Sequence, residues 1–459
     1  MKSMTSRIKF SIACVLLLAM SNLHAQLNHH PPRIVVSERP MELMLIDGPP
    51  ANVPITSTSL EFVVNTDWDI FHNKDSDTWY ILKDGAWLTN NMLSSGDWLM
   101  TTELPRDFLT LQVNSDWPRV AAAMPPRKSD TPPLPIIISY EPTELVLVDG
   151  KVQLEAIGPD GLQFVSNTRN ELFLLNGHYY ILLSGRWFST KDFKRQWSYV
   201  KKLPAAFAQI PADHRKANVL AAVPGTAEAQ KAVAEARKPK VARVSLKASG
   251  KIEVPYIGEP SFVSIPATDL SRAENTPFQV IRNNNFFYLC HEGAWYSSSS
   301  PTGPWKAARE VPEAIYTIPP TDPAYNVTFV RIQAFDDSSD EVAYTSESGY
   351  YNRYYNGYTM VYGTGWYYPG YYNRSAYWRY PHTYGYGYRY GGMRGGYYPY
   401  GYGYGYSHSE TYRVNRDSAD WEWDLDGNKR RVYNYGPANR IGSGEYKMPD
   451  SDNYKGDGK

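Results

Sequence analysis

An aromatic pair, a turn glycine, a tryptophan, a second tryptophan and a proline recur three times along this chain at nearly fixed spacing, which confines it to a repeat architecture. The copies are Trp79-Tyr80, Gly85, Trp87, Trp98, Pro105; Tyr179-Tyr180, Gly185, Trp187, Trp197, Pro204; and Phe287-Tyr288, Gly293, Trp295, Trp305, Pro312. The pair precedes the first tryptophan by 8 residues and the second tryptophan precedes the proline by 7 in every copy, while the step between tryptophans is 11, 10 and 10. An Asn-Thr step (Asn65-Thr66, Asn167-Thr168, Asn275-Thr276) follows Gly48, Gly150 and Gly258 by 17 residues, and Val120, Val219 and Val327 follow the proline by 15. These marks bound three units, 34–125, 136–224 and 241–333.

Within a unit the hydrophobic period is that of strands. Leu43-Met44-Leu45-Ile46, Leu145-Val146-Leu147-Val148 and Phe164-Val165 are short, β-rich apolar runs bounded by Asp-Gly, Pro and Asn. Ser184-Gly185 separates two aromatic strands, and Asp84-Gly85 and Glu292-Gly293 stand in the same place, which predicts a tight hairpin in each unit. A third strand is expected around the second tryptophan, stopped by the shared proline. The fold class expected is all-β: three antiparallel meander modules, either separate or closed into one propeller-like body. One exposed helix is expected in a linker, 225–239, where Thr226 can cap an Ala/Glu/Lys-rich run that Pro239 ends. The proline-rich stretch 125–135 is expected to be extended.

The remaining segments read differently. Lys2, Arg7 and Lys9 precede an apolar run at 12–20 and then Leu23-His24-Ala25, the pattern of a signal peptide over 1–25. The run is too short to span a bilayer, so the expectation is an exported chain of the periplasm, cell surface or extracellular space, with no transmembrane span after signal removal. Without that segment 44 basic residues face 47 acidic ones, which gives no electrostatic footprint for nucleic acid. Cys290 is then the single cysteine, so no intrachain disulfide is available. Residues 350–406 hold 22 of the 38 tyrosines and few aliphatics, so the segment 345–406 is expected to be disordered, or transiently β-like, and prone to self-association. In the tail at 407–459, alternation around Asp426-Gly427 predicts a hairpin at 421–435. Asp424 and Asp426 read as turn residues because Tyr433 stands where a calcium loop needs its last carboxylate.

Residues that carry chemistry are few. The histidines outside the leader show no helical metal-ligand spacing, and there is no nucleophile elbow, phosphate loop or Cys-x-x-Cys, so neither enzyme, cofactor nor metal is expected. Cys290 and His291 are adjacent, but neighbours on a strand face opposite ways, and a buried structural thiol is expected. Trp87, Trp187 and Trp295 are expected in the core. For Trp98, Trp197 and Trp305, and for Tyr80, Tyr180 and Tyr288, two readings stay open: core packing, or an aromatic platform on which sugar rings stack.

The stretch 179–188 with Trp197, the run Ser300-Pro301-Thr302-Gly303-Pro304-Trp305, and Ile318-Pro319-Pro320 through Tyr325-Asn326-Val327-Thr328 resemble a family of uncharacterised exported bacterial repeat proteins. Members are often labelled carbohydrate-binding family V/XII, the small chitin-binding modules. The resemblance covers 38–331 and reaches Val361-Tyr362-Gly363-Thr364-Gly365. It implies a non-catalytic envelope protein that binds polysaccharide or peptidoglycan through aromatic faces. The composition of the tail suggests the alternative, a structural protein that self-associates.

Overall fold

The computed structural model describes residues 27–366, apart from 47, 64–65, 67, 84, 113–116, 129–131, 248–251, 257–258, 277 and 336–339, together with strand segments at 371–373, 376–378, 419–423 and 429–433. The protein is mostly strand, and each unit contains one six-stranded antiparallel sheet whose strand order follows the chain. These sheets run from Asn52 to Thr101, from Leu154 to Tyr199 and from Phe262 to Ala307. The central hairpin places Leu82 opposite Trp87, Leu182 opposite Trp187 and Cys290 opposite Trp295. At its turn both Ser184 and Gly185, and both Glu292 and Gly293, have positive φ. That is the two-residue turn whose twist matches the strands it joins, and it explains the invariant spacing from aromatic pair to tryptophan.

The 17-residue step has an equally local cause. The Asn167 side-chain amide donates to the carbonyls of Asp149 and Lys151, both at 2.7 Å, and its oxygen accepts from the Gln153 amide at 2.9 Å. Asn275 repeats this on Glu259 and Ser261. The threonine of the step donates to the strand just before the glycine, Thr66 to Leu45 at 2.7 Å and Thr168 to Leu147 at 2.6 Å. Asn-Thr is thus a clamp that closes the loop opened by Gly48 and Gly150, both at positive φ.

Each sheet of units one and two is buried on both faces. In unit two Phe164, Phe173, Leu182 and Trp187 meet Phe207, Ile210 and Val219 on one face, and Val165, Ile181 and Phe188 meet Ile34, Val146 and Trp197 on the other. The first face is covered by helical turns that follow the shared proline. They are Phe108–Gln112 and Pro118–Ala122 in unit one, Ala205–Gln209 and Ala217–Ala222 in unit two, and Glu313–Thr317 and Tyr325–Phe329 in unit three. The strand periodicity did not reveal them, because five or six residues complete too little helix to show a period.

The second face is covered by lead strands, and here the units exchange partners. Arg33–Ser37 of unit one pairs in parallel with Thr143–Leu147 of unit two, and Glu42–Leu45 of unit one pairs in parallel with Ile136–Ser139 of unit two. Ile34 therefore packs on the sheet of unit two, while Ile136 and Ile138 pack on the sheet of unit one with Met44 and Trp98. Leu43, Leu45 and Leu145 fill the layer between the two pairs. Strictly antiparallel modules are not what the chain builds at this joint. Parallel pairing follows because each lead strand takes its partner from the neighbouring unit rather than from its own hairpin.

Unit three is closed otherwise. Its lead strand Lys240–Ser245 pairs with Glu341–Ser346, which pairs in turn with Val330–Phe335, all antiparallel. The linker helix forms as Ala227–Ala236, with the Thr226 hydroxyl accepting from the Ala229 amide. One face of it is exposed as expected, and the other is docked, with Val233 and Ala236 packing against Met360 and Tyr362.

Those contacts correct a second expectation. The first part of the tyrosine-rich segment is ordered: Ser348–Tyr351 forms a helical turn, and Arg353–Asn356 pairs with Thr359–Tyr362. Its Tyr354 is buried between Tyr325 and Phe329. Composition averaged over 345–406 hides Met360 and Val361, two aliphatics that face the body and anchor this hairpin. Further on, Tyr371–Asn373 pairs with Ala376–Trp378, and Ala419–Trp423 pairs with Lys429–Tyr433, a hairpin close to the expected 421–435. The expected signal peptide, the Asp424–Asp426 turn and the other tail positions lie outside the described residues.

Candidate interaction site

The second tryptophan of every unit is enclosed: Trp98 and Trp197 are 3% exposed and Trp305 is 0% exposed. The platform reading of these rings is therefore corrected. Each stands just before the last strand of its sheet and turns under it, Trp98 towards the lead strands with Ile136 and Trp197 towards Ile34 and Val146. The first tryptophans, Trp87, Trp187 and Trp295, are buried too, and each indole Nε1 donates to a carbonyl at or just past the end of the second helical turn. The acceptors are Ala123 at 3.2 Å, Ala222 at 2.8 Å and Val330 at 2.9 Å.

Tyr80 is buried, and Tyr180 and Tyr288 are half-buried. Tyr80 meets the edge of Phe108 and Tyr180 the edge of Phe207 beneath the helical turns, so neither ring lies open as a platform. Burial raises the hydroxyl of all three above the ordinary tyrosine value. Cys290 lies in the core of unit three beside Trp295, and burial pushes its thiol up well beyond the ordinary cysteine range. His291 points away to Phe278, so the two do not form a nucleophile and base. Among the described residues no three His, Cys, Asp or Glu side chains gather as metal ligands, and no helix is long and apolar enough to cross a membrane.

A repeated polar tie escaped the sequence reading. Asp69, Glu171 and Gln279 each stand three residues after the clamp threonine, and Arg119, Asn218 and Asn326 each stand one before the shared valine. The structure joins them in order: Asp69 to Arg119 at 2.8 Å, Asn218 to Glu171 at 2.7 Å, and Gln279 to Asn326 at 2.5 Å. The chemistry passes from ion pair to carboxylate-amide to amide-amide, so residue identity hides a position that always pins sheet to helical turn. Lys216 adds a cation to Glu171 at 2.8 Å.

The most specialised surface is the hairpin turn of unit two. Units one and three follow the turn glycine with Ala86 and Ala294, but unit two has Arg186, which is 0% exposed. Its guanidinium donates to the carbonyls of Tyr362 and Gly363, both at 3.0 Å, and to Ser184 at 3.3 Å. The Tyr362 amide returns a bond to Ser184 at 3.0 Å, and the Asn28 amide and side chain donate to Thr364 and Gly365. The buried cation is tolerable because Nη1 and Nη2 meet carbonyl oxygens held in fixed directions. At Gly185 a Cβ would collide with the backbone of Met360, and at Gly365 with the carbonyl of Asn28, so the chain approaches itself here at glycine distance. Residues 27–30 and 360–366 thus close on the turn of unit two as a strap. Of this, the sequence signal was Arg186 itself, the one cation in a turn position that elsewhere holds alanine.

No family model, curated protein or solved structure matches this chain.

Proposed function

We propose that this chain is a non-catalytic, exported scaffold whose folded body anchors a tyrosine- and glycine-rich segment and presents it for self-association. The observation that carries this reading is the strap. A fully buried arginine and a glycine-tight contact fix the root of the tyrosine-rich segment to unit two, immediately before the run of Tyr-Gly steps begins. The large aromatics of the repeats are spent on packing and on carbonyl bonds, which leaves the tail as the chain's richest source of sticky rings. Export is supported by the basic and apolar pattern of residues 1–25.

Sedimentation velocity tests the reading. The chain without residues 1–25 should form concentration-dependent assemblies, and the same chain ending at Trp366 should sediment as a monomer. A monomeric full-length tail, or equal assembly of both forms, would remove it. A glycan array with the shorter form checks the rival reading, and binding that survives loss of the tail would favour it.

A further inference from the structure

Unit two carries a cationic edge that the other two units lack. The last strand of its sheet, Ser198–Tyr199, lies at the end of the strand order, between a loop holding Lys191, Lys194 and Arg195 and a step holding Lys201 and Lys202. All five side chains are exposed, and none forms an ion pair with a described residue. Arg215 and Lys216 of the same unit are instead paired, with Glu155 and Glu171, both at 2.8 Å. Asp192 is the single carboxylate in 191–202, and it accepts from the Lys194 amide at 2.9 Å, which fixes the loop backbone. Counted from the nearer tryptophan, the same five places hold Asn91, Ser95, Gly96, Thr102 and Glu103 in unit one and Ser299, Thr302, Gly303, Arg309 and Glu310 in unit three. The repeated fold therefore does not require these cations.

A second feature stands against the same edge. The Asn356 side-chain amide donates to the Tyr199 hydroxyl at 2.7 Å, which ties the hairpin of Arg353–Asn356 and Thr359–Tyr362 to the edge strand. At the two-residue turn of that hairpin Tyr358 is 79% exposed, the most exposed of the large hydrophobic side chains described. Tyr355 beside it is exposed too, with the Arg237 guanidinium 5.5 Å from its ring centre.

Exposed cations and a phenol at a convex turn suit a lipid-water boundary, where basic side chains lie among anionic headgroups and tyrosine settles at headgroup depth. The loop cations and Lys201 are separated by the edge strand, roughly 13 Å at about 3.3 Å per residue from Trp197, which exceeds the reach of one small anion. A polymer strand is a poorer fit, because Tyr358 stands at a tip and not in a groove. Base stacking would need open ring faces, but Phe193 packs on Tyr179 at 4.2 Å and Tyr199 on His29 at 4.4 Å.

We infer that the edge of unit two and the hairpin tied to it form a peripheral docking surface for an anionic lipid bilayer, with Lys191, Lys194, Arg195, Lys201 and Lys202 facing headgroup phosphates and Tyr358 entering the headgroup layer. The attachment is electrostatic and reversible, and it weakens as salt screens the charges. It goes beyond self-association of the tail, which needs none of these residues.

Vesicle flotation of the chain without residues 1–25 tests this, because protein assemblies without lipid stay at the bottom of the gradient. The chain should float with vesicles of phosphatidylcholine and phosphatidylglycerol at low salt, and should not float with phosphatidylcholine alone. Lys191→Gln, Lys194→Gln and Lys201→Gln should each weaken the partition about fivefold, whereas Lys306→Gln in unit three should leave it unchanged. A polarity-sensitive dye on the Tyr358→Cys variant should shift its emission to the blue on the mixed vesicles; Cys290 is buried and leaves the new thiol as the accessible one. Equal flotation on both lipids, indifference to the three glutamine variants, no dye shift, or capture by polygalacturonate or an oligonucleotide with none by vesicles would overturn the assignment. Sedimentation velocity of the same variants without lipid reports self-association separately.

Discussion

The indole nitrogen of Trp187 donates to the carbonyl of Ala222, 35 residues downstream, at 2.8 Å. This bond ties the hairpin of unit two to the end of its helical turns inside a dry core, and its counterparts stand in the other units. Trp187→Phe keeps a large ring but leaves the carbonyl without its donor. It should cost about 1–3 kcal/mol, read as a lower urea midpoint with unchanged slope.

Exchange of lead strands makes some side chains act in the wrong unit. Ile34 belongs to unit one by sequence but packs on Val165 and Trp197 of unit two. Ile34→Ala should cost about 2–5 kcal/mol, and hydrogen exchange should quicken in Leu162–Val165 and Leu172–Leu175 before it does in the sheet of unit one.

The polar tie can be transplanted between units. Asp69→Gln alone strands the Arg119 guanidinium beside a neutral amide, and Arg119→Asn alone leaves the buried Asp69 carboxylate without its cation. The double variant recreates the Gln279–Asn326 pair of unit three. A double-mutant cycle should show favourable coupling of about 0.5–3 kcal/mol, and strict additivity would deny that the two positions form one unit.

His29 stacks on Tyr199 at 4.4 Å between ring centres. Burial first, and the nearby Arg186 charge second, lower its pKa from 6.5 to about 4. The folded chain therefore binds that proton less readily than the unfolded chain does. The stability contributed is fully present above pH 6.5 and drains away as pH falls towards 4. Deuterium uptake in residues 27–30 and 360–366, corrected for intrinsic rates, should rise on acidification across this window, and His29→Gln should flatten the rise.

Gly365→Ala tests the strap directly. The residue has φ +79° and a Cβ would run into the Asn28 carbonyl. The left-handed backbone alone costs about 1–3 kcal/mol for a side-chain-bearing residue. Fast exchange confined to residues 27–30 and 359–366, with the three sheets still protected, is the expected result.

Much of the fold was legible because its marks are local. Gly85, Gly185 and Gly293 set the hairpins, and alternation around them fixed strand and face. The Asn-Thr clamp was visible as spacing before its hydrogen bonds gave it a purpose. What escaped is non-local or short. Pairing of Arg33–Ser37 with Thr143–Leu147 joins segments about a hundred residues apart that carry no complementary signature, since β-rich apolar strands pair with one another indiscriminately until a register is imposed. The direction of Trp197 depends on those lead strands, so a ring that could have lain on either face could not be placed without them. In the tail, tyrosine abundance masked the few residues, Tyr354, Met360 and Val361, that dock.

Reciprocal exchange of lead strands has an arithmetic. Here it is a two-way trade, in which units one and two each lend a strand and receive one, and the third copy is left out. Unit three has no neighbour with which to trade, and the chain after Val330 supplies the missing cover as Val330–Phe335 and Glu341–Ser346. From the end of that improvised cover the polypeptide runs straight into Ser348–Tyr351 and the strap. The segment that closes the third copy thus sets where the body ends and from which point on its surface the tail leaves.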